Sequence, residues 1–199
     1  MGVMRLRQQR GFSLVDLLVA IAIVGIVTAM AIPMADSASR GFRLQGDAQG
    51  IADMVALAKM RAAALFTRAR IRAELGDGSY RLEIWDKAAD AWAQEGGTVL
   101  LSNGVTFGFG ALDTPPPNTQ AAIGQSPECT TLGLEDPVAG TACIVFNSRG
   151  VPVDTFGAPV GGNAFYITDG SAVYATTITA TPLVRQWWSN SGNAIWVRR

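Results

Sequence analysis

The chain contains no histidine and only two cysteines in 199 residues, and only 16% of its residues are charged. Without imidazole there is no Ser-His-Asp or Cys-His nucleophile pair, no His-ligated metal and no imidazole proton shuttle. Cys129 and Cys143 are too few for the all-cysteine, four-ligand zinc site that a histidine-free chain could still build. These absences argue against an enzyme, a metal centre and a bound cofactor. Net charge is missing as well: sixteen Lys and Arg balance sixteen Asp and Glu, so the chain lacks the overall basic footprint of a nucleic-acid-binding domain. Nor is the chain poor in core material, since 49% of it is hydrophobic. One folded domain plus an extra element fits that length and composition.

The apolar residues concentrate near the N-terminus. Leu17 to Ala35 carries no charge and is long enough as a helix to cross most of a bilayer. Arg5, Arg7 and Arg10 precede it without any acidic residue, so the positive-inside bias keeps the N-terminus cytoplasmic and places the chain beyond Ala35 outside. A secretory signal peptide, with Ala29-Met30-Ala31 as a small-x-small cleavage pattern, is one reading of this segment. A plain membrane anchor is another. Neither has a use for Asp16, a carboxylate at the start of the apolar run, which costs roughly 2.5–3.5 kcal/mol unless a partner is found for it.

The residues around that carboxylate supply a third reading. Arg10-Gly11-Phe12-Ser13-Leu14-Val15-Asp16-Leu17-Leu18 resembles the type III signal of type IV pilins and type II secretion pseudopilins. The resemblance implies cleavage after Gly11 by a prepilin peptidase, N-methylation of the new terminal residue Phe12, and an assembly role for the acid at the fifth mature position. Here that acid is Asp16, where the family usually has Glu, one methylene longer. Its carboxylate would pair with the N-terminal amine of a neighbouring subunit, so that two charges neutralise each other in an apolar bundle. Pro33 stands where major pilins of this family commonly carry a helix-loosening proline, although membrane helices tolerate prolines in general.

Beyond this run, Leu44, Ala48, Ile51, Val55, Ala58, Ala62, Leu65 and Ala69 recur every three or four residues, which predicts one apolar face of a helix. Joined to the membrane segment, the helix is expected from about Phe12 to about Arg72, on the order of 90 Å long, with its N-terminal half clear of a globular head. Alanine-rich spacing without flanking charge ladders favours packing on a sheet over a coiled-coil seam. After Gly76-Asp77-Gly78 the period falls to two, and Tyr80, Leu82 and Ile84 alternate with Arg81, Glu83 and Trp85. Further strands are expected over 98–101, 105–109, 143–147, 164–168, 173–181 and 194–197, separated by turn residues. The fold class is therefore α+β, a long N-terminal helix packed on a mostly antiparallel, C-terminal β-sheet head, pilin-like in outline. Residues from Ala111 to Gly140, which include Pro115-Pro116-Pro117, show little strand pattern and read as a long surface loop.

Cys129 and Cys143 flank the second half of that loop. In an oxidising compartment they would form a disulfide contributing roughly 3 kcal/mol by closing a loop of about 15 residues; two reduced, buried thiols are the alternative. The segment Cys143 to Pro152, followed by 164–169 and 170–181, resembles the GspH/FimT group of minor pseudopilins, with an Ile-x-Phe-x-x-x-Gly strand and turn before a C-terminal hairpin. The expected organisation is a leader over 1–11, a membrane-spanning helix half over 12–35, an amphipathic half over 36–72 and a β-rich head over 73–199. The implied protein is a minor pilin or pseudopilin near a filament tip. It would be held in the inner membrane with a periplasmic head before assembly, and its partners would be prepilin peptidase and other pilins or pseudopilins.

Loss of the leader removes three arginines and makes the mature chain slightly acidic. The charges are segregated, with seven basic and two acidic residues from Arg40 to Arg72. Opposite patches of this kind suit head-to-tail packing in a helical filament. The tail interleaves Arg185, Arg198 and Arg199 with Trp187, Trp188 and Trp196, the ingredients of DNA capture by stacking and phosphate contact. The resemblance to FimT-like minor pilins implies DNA binding as an alternative function, and a tip adhesin that binds through the tail or the Ala111 to Gly140 loop is another; tryptophans that merely close a sheet are the plainer reading.

Overall fold

A computed structural model describes residues 14–131 and 136–199, and the side chains of all of these except 32–37. Gly11 and Phe12 lie outside the described residues. The chain divides into two units, residues 1–39 and 40–199. In the first, helix α1 (Leu14–Ala64) begins, and Leu14–Ala31 is apolar enough to cross a membrane, with none of it buried. The helix continues through Pro33, where the sequence places a helix-loosening proline. Proline's fixed φ is compatible with helical geometry, and the loss of one N–H bond does not by itself end a helix.

In the second unit the remainder of α1 covers two sheets. Twelve strands come after it among the described residues: β1 (Ala69–Glu74), β2 (Ser79–Asp86), β3 (Ala91–Leu100), β4 (Thr106–Phe107), β5 (Cys129–Thr130), β6 (Pro137–Val138), β7 (Thr141–Phe146), β8 (Pro152–Val153), β9 (Asn163–Thr168), β10 (Ala172–Ile178), β11 (Val184–Asn190) and β12 (Asn193–Arg198). The first sheet has the order β3-β2-β1-β7-β8, the second β12-β11-β10-β9-β4, and β5-β6 stand apart. Every strand pair is antiparallel, as the turn-punctuated sequence predicts.

The alanine-rich stripe packs as expected up to a point. Leu44, Ala48, Ile51, Val55, Ala58 and Ala62 are buried against Ile71, Leu82, Ile144 and Phe146 of the first sheet and Phe165, Ile167 and Ile178 of the second. Small side chains let the backbones approach. A Cβ on Gly50 would lie 2.6 Å from the Tyr80 hydroxyl. Polar tethers pin the same helix: Asp47 accepts from the Ser102 N–H and hydroxyl, Lys59 donates to the Pro182 carbonyl, and Gln186 donates to the Ala48 carbonyl.

The helix ends earlier than the expected Arg72. It stops at Ala64, where the Thr67 N–H bonds the Ala62 carbonyl, the Phe66 N–H bonds that of Ala63, and Phe66 takes the left-handed conformation at φ 49°. This is a Schellman cap with phenylalanine where glycine is usual. Leu65 is consequently exposed, and Ala69 is a strand residue whose register in β1 pairs it with Ile84 and Phe146. The amphipathic helix half is therefore 36–64, and the β-rich part begins at 69, before the expected boundary of 73.

The segment from Ala111 to Gly140 is also more ordered than a plain surface loop. Leu112 and Ile123 pack with Tyr166, Val173 and Trp187 on the face of the second sheet away from α1. Gln120 accepts from the Tyr166 hydroxyl, Gln125 exchanges hydrogen bonds with the Tyr166 backbone, and Ser126 bonds the Ala164 carbonyl. The segment then crosses to the first sheet, where the Cys143 N–H bonds the Pro127 carbonyl. It is a strap over both sheets, because β9 is buried along its whole length and needs apolar cover on each face.

Candidate functional sites

Asp16 lies in the first described turn of α1. Around it Leu14, Val15, Leu17 and Leu18 are each more than half exposed. At 1.5 Å per residue the apolar stretch spans roughly 27 Å, close to the thickness of a bilayer core. An exposed run of that length has no stable place in water. Its length and composition fit burial in lipid or against the apolar segments of other helices.

Cys129 and Cys143 are joined in a disulfide. Cys143 belongs to β7 and Cys129 to the strap, so the bond staples the strap to the outer face of the first sheet. The Cys129 N–H also bonds the Thr141 hydroxyl. Among the described residues no group of three or more Cys, Asp or Glu is placed to hold a metal ion.

The three tail arginines, separated in sequence, come together. Arg185, Arg198 and Arg199 line one open hollow, but so do Gln49 and Asp53 of α1, whose side chains are hydrogen-bonded to each other. A carboxylate therefore shares the basic hollow. The tryptophans between these arginines work mainly for the fold. Trp187 is 9% exposed and donates to the Thr177 hydroxyl, Trp188 packs on the main core, and the Trp196 indole donates to the Thr114 carbonyl of the strap. The Arg199 guanidinium sits 5.4 Å from the Trp188 ring centre.

A second basic and aromatic surface escapes the sequence reading. In β1 the alternation that buries Ala69, Ile71 and Ala73 turns Arg70 and Arg72 to the outer face of the first sheet, where β2 adds Arg81, Glu83 and Trp85 and the paired position on β3 adds Trp92. Arg70 is 2% exposed. Its guanidinium donates to the Glu83 carboxylate at 2.6 Å and to the Thr130 carbonyl at 2.7 Å, and lies 4.1 Å from the centre of Trp92. Burial lowers its pKa from the ordinary arginine value, and Glu83 opposes the shift. Arg72 and Arg81 pair with Glu74 and Glu83. The strict alternation Arg68-Ala69-Arg70-Ile71-Arg72-Ala73 is the signal that could have found it.

Residues 6–32 match the family model of the prokaryotic N-terminal methylation motif, a span that holds Gly11, Phe12 and Asp16. No curated protein matches the chain. Among solved structures the chain is similar to the minor pseudopilin EpsH from the Type 2 Secretion System of Vibrio cholerae, with 10% identity over 76% of this chain and 99% of that one and a TM-score of 0.45.

Proposed function

We infer that this chain, whose N-terminus carries the methylation motif of prokaryotic prepilin-like proteins, is a minor pilin or pseudopilin: a structural subunit of a type IV pilus or type II secretion pseudopilus. The observation that carries the reading is the combination of that motif with an exposed apolar helix bearing one carboxylate in its first described turn. On this reading prepilin peptidase cuts after Gly11, Phe12 is methylated, and the subunit waits in the inner membrane with its head in the periplasm. Asp16 then draws in the amine of a neighbouring subunit as the helix moves from lipid into a filament, near its tip. The disulfide between Cys129 and Cys143 suits an oxidising compartment.

Co-expression with a prepilin peptidase tests the first step. The expected product begins at Phe12 by mass spectrometry, and Gly11→Ala is cut far less; a product beginning at Ile32 instead returns the signal-peptide reading. Asp16→Ala is expected to be processed normally yet to enter filaments poorly, because a buried amine loses its counter-ion. Asp16→Glu is expected to enter at least as well as the parent.

The gathering of Arg185, Arg198 and Arg199 around one hollow supports a second reading, sequence-tolerant DNA binding. If the tail holds DNA, affinity falls with salt at a log-log slope of roughly −2 to −3 for three phosphate contacts. Replacing all three arginines by alanine then abolishes the complex. Because Asp53 lines the same hollow, the expected result is no salt-sensitive shift by the full chain. Adhesion at a filament tip is the remaining alternative.

A further inference from the structure

Four arginines cluster at the outer face of the first sheet, and three of them have their N–H groups committed to Glu74, Glu83 or the Thr130 carbonyl. Arg68 differs. Its guanidinium lies 4.2 Å from the centre of the Trp85 ring and 5.7 Å from that of Trp92, and among the described residues no carboxylate pairs with it. Stacking on indole occupies the face of a guanidinium and leaves its planar N–H fork open, the geometry that takes a carboxylate bidentately.

Arg68 also stands where two hollows meet. One is largely apolar, about 160 Å³, walled by Trp92, Pro127, the Cys129–Cys143 disulfide, Val153 and Val160. That is close to the size of a cavity, roughly 150 Å³, known to accept a benzene ring. The other carries Lys87 and Ser148 beside the exposed ring of Phe66. Glu128 and Asp154 line the same apolar hollow, the latter already bonded by the N–H groups of Phe156 and Ala158.

We propose that this face is a docking site for an extended polypeptide segment in which an apolar side chain, of phenylalanine or leucine size, is followed by a carboxylate. The side chain fills the hollow beside the disulfide, the carboxylate meets Arg68, and the chain continues over Arg68 toward Lys87. The open fork of Arg68 selects the acidic group, since Glu74 and Glu83 are held by the other three arginines and Asp154 by backbone N–H groups. The volume selects a single side chain, because a long acyl tail would extend beyond the hollow into water. The strained left-handed backbone at Phe66 (φ 49°) holds an exposed aromatic ring at the rim of the second hollow, where it adds contact area. This surface lies on the sheet itself.

The probe is a capped peptide, acetyl-Gly-Phe-Asp-Gly-amide, titrated into the full chain in detergent while the indole N–H resonances of Trp85 and Trp92 are followed by NMR. The expected result is a saturable shift at both indoles, with an affinity in the millimolar range that a single anchored side chain provides. Binding should weaken about ten-fold or more when the peptide's Asp becomes Asn or its Phe becomes Ala. Arg68→Gln should cause the same loss, and Arg68→Lys a smaller one because the ammonium lacks the fork. Val160→Trp, which fills the hollow from its wall and leaves Arg68 unsubstituted, should also abolish binding, and this second variant keeps the test sound should Arg68→Gln fail to fold. The proposal is overturned if no saturation is reached by about 10 mM, if the Asn peptide binds as well as the Asp peptide, or if decanoate binds while the peptide does not, which would assign the site to a lipid.

Discussion

Gly50 is the residue whose importance is least visible in the linear chain. In a helix it costs about 1 kcal/mol relative to alanine, yet here a Cβ would meet the Tyr80 hydroxyl at 2.6 Å. Tyr80 is 4% exposed, so its ring has little room to withdraw, and a displacement of this kind costs roughly 1–3 kcal/mol. Gly50→Ala is therefore expected to destabilise by about 1 kcal/mol in denaturant unfolding despite its better helix propensity. In a Tyr80→Phe background, which removes the offending oxygen, the same change is expected to stabilise by about 0.5–1 kcal/mol. If the two backgrounds respond alike, the close approach is not what the glycine serves.

Among the elements, the strap from Ala111 to Gly140 shows how little a local pattern says about burial. Its prolines and polar residues make no ladder of their own, but Leu112, Ser126 and Cys129 are buried because two sheet faces need cover. Its attachment to the first sheet runs through the disulfide and through the Thr130 carbonyl on Arg70. Replacing both cysteines by alanine is expected to cost about 2–4 kcal/mol through the freedom returned to the unfolded chain. It should also raise hydrogen exchange around Thr130 and the Arg70 backbone. Unchanged exchange there would mean that the strap is held by Tyr166 and its glutamine partners alone. The end of α1 is a second case at this scale: nothing in Ala64-Leu65-Phe66-Thr67 resembles a stop signal, because the left-handed cap falls on phenylalanine.

For the molecule as a whole, all three tyrosines are drawn into the core, and burial pushes each phenol upward. Tyr80 is raised to about 12, chiefly by desolvation and further by Asp47 and Asp53. Tyr166 is raised by burial, and Tyr174 by burial against an opposing pull from Arg199. A phenol whose folded pKa lies above its unfolded value near 10 contributes stability that is intact below pH 10. That contribution is lost as pH rises toward the folded value, because only the unfolded chain releases the proton. Denaturant unfolding is expected to show constant tyrosine-linked stability up to about pH 10 and a progressive fall from there toward about pH 12. A phenolate absorbance titrating near pH 10 with the fold intact would contradict this.

The N-terminal motif was legible because its physics is local: a charge-free run, arginines ahead of it and one acid in an apolar context constrain one another within thirty residues, whatever the rest of the chain does. The antiparallel sheets and the alanine face of α1 were legible for a related reason, since side-chain periodicity reports which face is buried. What only the tertiary structure decided depends on pairings between distant segments. Arg68 read as part of a helix, and β1 became a strand because β2 and β7 flank it, which set its arginines on one sheet face beside Trp85 and Trp92. Arg185, Arg198 and Arg199 were visible as a basic tail, but the carboxylate of Asp53 entered their hollow from a helix more than a hundred residues earlier. Electrostatic partnership acts through space, and a linear sequence records only which charges exist.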